Sequence, residues 1–100
     1  MATLHLLSHS PFSDSRFASC LPLLGDADAL LLTGDATYAL QPGSQPCLAL
    51  QQLPEQVALF ALEEDVQARS ITVLPPRVQL LDYPGFVELT CRYPRVNSWL

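Results

Sequence analysis

The chain has 100 residues, of which 49% are hydrophobic and only 15% are charged, and its formal net charge is −5. This length predicts one domain over residues 1–100. The five basic residues are all arginines, too few for a cationic patch, which argues against direct binding of tRNA or DNA. The shortage of charged residues also predicts that another subunit covers part of the surface.

The cysteines and the N-terminal residues indicate the cellular compartment in which the protein is expected to work. Cys20, Cys47 and Cys91 form no C-x-x-C pair and have no zinc-ligand spacing, which predicts free thiols in a reducing compartment. The N-terminus lacks the basic stretch of a signal peptide, and the longest apolar runs, about six residues, are far shorter than the roughly 20 that cross a membrane. We therefore predict a cytoplasmic protein that does not enter a membrane.

Glycine-rich nucleotide sites are not encoded in the sequence. There is no G-x-x-x-x-G-K-[ST], and the four glycines, at positions 25, 34, 43 and 85, cannot form G-x-G-x-x-G. We expect neither a cofactor nor a metal.

The first strand and helix are predicted from a change in apolar spacing. Residues 3–7 form a short apolar run, which predicts a buried strand. Apolar residues at helical spacing over 17–24 predict a helix, with Ser10 or Ser13 as its cap and Pro22 ending or kinking it. A strand, a turn and a helix in that order begin a β-α-β unit.

The middle of the chain continues this alternation. Residues 28–33 and 56–62 predict two more buried strands, and 36–40 predict one or two turns of helix. Residues 41–46 form the strongest loop signal in the chain. The pattern over 47–52 is ambiguous.

The last third of the chain adds another helix, a strand and a final helix. Acidic residues begin the helix after the third strand, and Asp65 is spaced to pair with Arg69. Residues 78–82 predict a fourth strand, and Asp82 followed by Pro84 predicts the start of the last helix. Four alternations predict an α/β domain with a mainly parallel sheet flanked by helices. The tail after this helix has no predicted element.

Cys20 is the first candidate for chemistry. A helical wheel places it at the edge of the apolar face, with Arg16 one turn earlier on the same side. Arg16 would favour the thiolate, whereas a position near the C-terminal end of the helix opposes it. The spacing alone therefore favours a packing role over a reactive one.

The two histidines have different positions relative to the first strand. His5 lies inside it, which predicts a core or interface side chain. His9 follows the carboxyl end of the strand, where open α/β sheets place their sites, but no second histidine or carboxylate cluster near it in sequence completes a catalytic group.

Four motifs resemble those of the DsrH/TusB family. They are LHxLxxSPF at residues 4–12 followed by Cys20, ALxxDxxARS at 61–70 (where the family has Gly in place of Ser70), DYxxFVxLT at 82–90, and Ser98-Trp99. This resemblance spans nearly the whole chain and implies a DsrEFH-like α/β fold.

The resemblance also implies partners and a pathway. TusB-like proteins join the paralogous TusC and TusD subunits in a heterohexamer. This complex relays persulfide sulfur from a TusA-type carrier to a TusE-type carrier, for the 2-thio group of wobble uridine in tRNA. The main sulfur-accepting cysteine belongs to the TusD-type subunit, which implies a mainly structural, non-catalytic role for this chain. Because tryptophan is enriched at interface hot spots, we expect Trp99 to be an interface anchor.

Two alternatives stay open at this point. In one, Cys20 is a working persulfide acceptor and Arg16 supports its thiolate. In the other, the chain is a DsrH-like subunit of a dissimilatory sulfur-oxidation relay.

Overall fold

Five parallel strands form one sheet in the computed structural model, which describes residues 2–99. The strands are β1 (Thr3–Leu7), β2 (Ala29–Leu32), β3 (Ala58–Leu62), β4 (Val78–Leu81) and β5 (Arg95–Trp99). The helices are α1 (Arg16–Cys20), α2 (Gln45–Gln51), α3 (Glu63–Ala68) and α4 (Tyr83–Arg92), with 3₁₀ segments at Leu21–Leu23 and Gly34–Leu40. The α/β class and the parallel sheet predicted from the sequence are confirmed.

The strand order is β4-β3-β2-β1-β5, and it decides which helices cover which face. From β1 to β4 the chain moves in one direction, and α1, α2 and α3 pack on one face, called here the α1 face. The chain then returns to the other side of β1 through α4, which lies on the opposite α4 face, as right-handed crossovers require. The connection that leaves β1 and the one that enters β5 therefore lie on opposite faces of the sheet.

The two faces bury separate apolar clusters. The larger, on the α1 face, includes Leu7, Leu30, Leu32, Leu59, Ala61, Phe17, Cys20, Leu50 and Val66. The smaller, on the α4 face, consists of Leu4, Ala29, Leu31, Phe60 and Leu89. Because the inner strands are covered on both sides, they are continuous apolar runs rather than alternating ones.

The start of α1 differs from the prediction. The predicted serine cap is wrong: the Oδ1 atom of Asp14 accepts the N–H of Arg16 at 2.9 Å, and Ser10 Oγ instead accepts the N–H of Phe12. The predicted effect of Pro22 is confirmed, because the α-helix ends at Cys20 and continues as a 3₁₀ segment.

The predicted Asp65–Arg69 ion pair is also wrong. The carboxylate of Asp65 accepts the N–H of Gly34 at 2.7 Å. The Arg69 guanidinium instead donates to Oδ1 of Asp35, from Nη2 at 2.7 Å and from Nε at 3.2 Å, and lies over the ring of Tyr38. Arg69 still contacts Asp65, but from Nη1 to its backbone carbonyl at 3.1 Å rather than to its carboxylate. Parallel strands bring the ends of β2 and β3 together, so each charged group finds a tertiary partner.

Two other helix starts follow ordinary capping rules. Asp82 caps α4 as predicted, with Oδ1 accepting the N–H of Gly85 at 2.8 Å. The ambiguous segment over 47–52 belongs to α2, which Ser44 caps through the N–H of Cys47 and which has a proline in its first turn.

The end of α3 provides a test of backbone strain. Ser70 has φ +56°, and the N–H groups of Ser70 and Ile71 bond the carbonyls of Gln67 and Val66, a Schellman ending that glycine fits best. A Ser70→Gly variant is expected to gain about 0.5–1 kcal/mol of unfolding free energy, or several degrees in Tm. Ser70→Ala is the control, because it keeps the strain and should give no gain in thermal denaturation.

Candidate functional site

Cys20 lies at the end of α1 and is fully buried against the α1 face of the sheet. Burial raises the pKa of its thiol to about 12, and the negative charge of Asp28 adds to this effect. The thiol is therefore almost entirely protonated at neutral pH, which disfavours its use as a nucleophile.

Asp28, the residue before β2, joins several parts of the chain. Its Oδ1 accepts the N–H of Thr3 and its Oδ2 accepts the N–H of Gly25, both at 2.9 Å. The Nε2 atom of His5 lies 3.5 Å from Oδ2. Although burial raises the pKa of Asp28, the two backbone N–H groups and His5 lower it more, so the net pKa lies below its ordinary value. Asp28 is therefore held as a carboxylate.

His5 connects Asp28 to the last strand. The indole N–H of Trp99 donates to Nδ1 of His5 at 3.1 Å. An indole nitrogen can only donate, so Nδ1 is the acceptor and the ring proton lies on Nε2, facing Asp28. The prediction of a core histidine is confirmed, because His5 is buried and both ring nitrogens have partners.

An open groove lies beside this network, over the paired strands β1 and β5. It has a volume of about 660 Å³ and is lined by Thr3, His5, Leu23, Asp28, Arg95, Val96 and Asn97. The groove is lined in part by His5 and Asp28, whereas Cys20 is fully buried and does not line it.

Arg16 is half-buried at the first position of α1, one turn before Cys20 as the spacing predicted. Its guanidinium forms an ion pair with the carboxylate of Asp14, two residues earlier. The structure thus gives Arg16 an anionic partner of its own, while the charge that acts on the Cys20 thiol comes from Asp28.

The remaining sequence candidates lie apart from this cluster. Cys47 is buried in α2, and burial raises the pKa of its thiol, whereas Cys91 is exposed on α4. His9 is half-buried after β1, with Nδ1 at 3.5 Å from Oγ of Ser8. Residues 2–99 contain no group of three or more metal-ligating side chains.

Asp28 and Trp99 both contact His5 in the folded chain, and sequence patterns could not predict these contacts. Asp28 directly precedes an apolar run, and in the sequence it looks like any polar residue at the start of a strand. Its contacts come from Thr3, Gly25 and His5, so only the folded sheet brings them together. The closing motif Ser98-Trp99 was the one available signal for Trp99.

Comparison with known proteins identifies the family. The sequence profile described as "DsrH like protein" matches residues 9–96. The chain belongs to the DsrH family. Among curated DsrH-family relatives, Protein TusB from Escherichia coli K12 (DH10B) is 36% identical over 97 residues, which cover 96% of this chain and 99% of that protein. Protein TusB from Erwinia tasmaniensis is 35% identical over the same coverage.

Solved structures support the DsrH-family fold. The ychN protein from E. coli superposes with a TM-score of 0.77 at 19% identity, covering 99% of this chain and 100% of that one. MTH1491 from Methanobacterium thermoautotrophicum, titled a protein of unknown function, gives a TM-score of 0.68 at 14% identity and covers 96% of each chain. No helix within residues 2–99 is both long enough and apolar enough to cross a membrane.

Proposed function

We propose that the chain is a TusB-like subunit of a sulfur-relay complex that serves 2-thiolation of wobble uridine in tRNA. The observation that carries this proposal is the 36% identity to Protein TusB over almost the full length of both chains. The expected partners are TusC-like and TusD-like subunits in a cytoplasmic heterohexamer, with TusA-like and TusE-like proteins as donor and acceptor of sulfur.

The burial of Cys20 supports a structural rather than a catalytic role. In persulfide relay, an acceptor thiolate attacks the terminal sulfur of the donor persulfide. A new S–S bond forms, the old one breaks, and the donor leaves as a thiolate. Cys20 is inaccessible, and its pKa of about 12 keeps it protonated. We infer that the sulfur-accepting cysteine belongs to a partner subunit.

The surface is suited to protein contacts rather than to RNA. Large apolar side chains are exposed on several elements: Phe12, Leu23, Leu48, Val73, Tyr83, Val87 and Val96. Arg16, Arg69 and Arg77 are engaged by carboxylates or carbonyls of the chain itself. These features support contact with paralogous subunits, with tRNA reached only through the relay.

The proposal predicts the phenotype of cysteine variants. In a strain lacking the endogenous TusB, the wild-type chain should restore tRNA 2-thiolation and co-purify with TusC- and TusD-like subunits. Cys20→Ser and Cys20→Ala should restore thiolation to the same level, because the thiol does not carry sulfur. Cys91→Ser is the matched control for an exposed cysteine, and thiolation is measured from the 2-thiouridine content of bulk tRNA.

Mass spectrometry separates the alternatives. After incubation of the co-purified complex with a cysteine desulfurase and its carrier, a sulfur adduct is expected on a partner subunit. An adduct on Cys20, together with lost thiolation in both Cys20 variants, would contradict the structural role. A chain that forms no complex with either paralog would contradict the proposed function. A chain that forms the complex but does not restore tRNA thiolation would favour a dissimilatory sulfur-oxidation role instead.

A further inference from the structure

β5 is the least covered strand of the sheet. Its first four residues are exposed, and only Trp99 is half-buried. Within residues 2–99 it pairs with β1 alone, so the backbone N–H and C=O groups on its other side face solvent. Such an edge can accept a strand from another molecule.

The usual protections of an edge strand are missing from the centre of β5. Its five residues align one to one with Thr3–Leu7 of β1, so it contains no bulge. Pro94 precedes the strand, and its one charged residue, Arg95, occupies the first position. The opposite edge strand, β4, is one residue shorter and has a single exposed residue, Gln79.

We propose that β5 is a self-pairing edge, through which two copies of this chain join their sheets by antiparallel pairing centred on Asn97. Two identical five-residue strands pair in full in only one antiparallel register, which sets Asn97 opposite Asn97 of the second copy. The result is a twofold-symmetric interface and a continuous ten-stranded sheet.

The side chains of β5 are self-complementary in this register. Arg95 of each copy lies opposite Trp99 of the other, and directly opposite residues share a face of the sheet. A guanidinium beside an indole ring is an attractive pair, and the two arginines are kept apart. Val96 lies opposite Ser98 on the other face, so no like charges meet.

Trp99 is held ready for this contact. Its ring is oriented on the α1 face by the hydrogen bond to His5, and the two ring centroids are 6.2 Å apart. Arg95, Asn97 and Trp99 occupy every second position of β5 and therefore lie on the same face of the sheet. Arg95 and Asn97 line the open groove beside His5. The Trp99 ring is therefore fixed on the face that it shares with Arg95 of the second copy in this register.

The size of the contact limits its strength. A five-residue strand pair buries less than the roughly 1,000 Å² of a stable interface, so the dimer forms in a concentration-dependent way. Incorporation of the chain into a larger complex would raise the effective concentration of the two edges. The pairing concerns a surface separate from Cys20 and does not rest on the sulfur-relay proposal.

A charge exchange at Asn97 tests the register. Sedimentation velocity of the wild-type chain over a concentration series should show a monomer–dimer equilibrium, and emission from Trp99, the single tryptophan, should change over the same range. Asn97→Lys and Asn97→Glu should each raise the dimer Kd about tenfold or more, since like charges meet at the centre. An equimolar mixture of the two variants should restore the dimer.

The opposite edge strand supplies the matched control. Gln79→Lys and Gln79→Glu place the same charges at an exposed position of β4 and should leave dimerisation unchanged. A monomeric wild-type chain over the whole range, or Asn97 variants that dimerise as wild type does, would overturn the proposal. So would a mixture that stays monomeric.

A cross-linking test in cells applies whether or not partner subunits are present. In a Cys91→Ser background, which removes the exposed native thiol, Asn97→Cys should give a covalent homodimer with a short bismaleimide. Gln79→Cys should give none. Equal cross-linking at both positions, or cross-linking of Asn97→Cys to a different protein alone, would overturn self-pairing.

Discussion

An Arg77→Ala variant is expected to unfold about 10–20 °C below the wild-type chain, a loss of about 2–4 kcal/mol. Arg77 directly precedes β4, and its guanidinium donates to four backbone carbonyls, those of Leu50, Leu53, Pro54 and Val57, at 2.7–3.3 Å. These carbonyls span the end of α2 and the approach to β3. The carbonyls of Leu50 and Pro54 also accept the backbone N–H groups of Leu53 and Val57. Removing the guanidinium therefore leaves chiefly the carbonyls of Leu53 and Val57 poorly satisfied.

Two further variants distinguish this explanation from a general effect of charge. Arg77→Lys keeps the charge but cannot span four carbonyls, and it should recover less than half of the lost stability. Arg92→Ala removes an exposed arginine from the last turn of α4 and should change Tm by a few degrees at most. Equal Tm losses for Arg77→Ala and Arg92→Ala in calorimetry would contradict the proposed role of the carbonyl contacts.

An Asp28→Asn variant is expected to lose about 1.5–3 kcal/mol of unfolding free energy at pH 7. The carboxylate accepts two backbone N–H groups and faces His5, and an amide places a donor where one of those acceptors was. Because the folded-state pKa of Asp28 is lowered, its contribution is complete above the unfolded pKa of about 4 and declines as pH falls through the folded pKa. The difference between variant and wild type should therefore shrink below about pH 4.

Urea unfolding at pH 7 and at pH 3 measures this difference. Asp26→Asn, at an exposed position two residues earlier, is the control and should behave as wild type at both values. The Asp28 variant should also lower the pKa of the Cys20 thiol, since one of the two causes of its rise is removed, while burial keeps it raised. A destabilisation that is the same at both pH values would count against the carboxylate contacts.

Strands β1 to β4 were predictable because each is a largely apolar run of the right length between turn residues. β5 was not, because an exposed edge strand has little apolar signal: Arg95, Asn97 and Ser98 match a polar tail as well as a strand. The end of the predicted tail, Leu100, lies outside the described residues. Pairing of β5 with β1 is a property of the whole topology, and local spacing does not encode it.

The surroundings of Cys20 could also be predicted only in part. Helical spacing correctly put Cys20 at the edge of an apolar face, and general rules made a packing role the better interpretation. The charges around it could not be predicted. Arg16 is paired with Asp14 two residues away, and Asp28 approaches from another segment of the chain. The partner subunits are inferred from family resemblance, because no pattern in the sequence of one chain identifies the other chains that it binds.

Placing the last strand beside the first has a consequence for how the molecule is made. The hydrogen bond from Trp99 to His5 joins residues 94 positions apart. Before α4 and β5 have folded onto the sheet, β1 is an outer strand and the smaller apolar cluster lacks its helix. A chain in that state exposes an unprotected strand and an apolar surface, the features that chaperones bind and that promote aggregation.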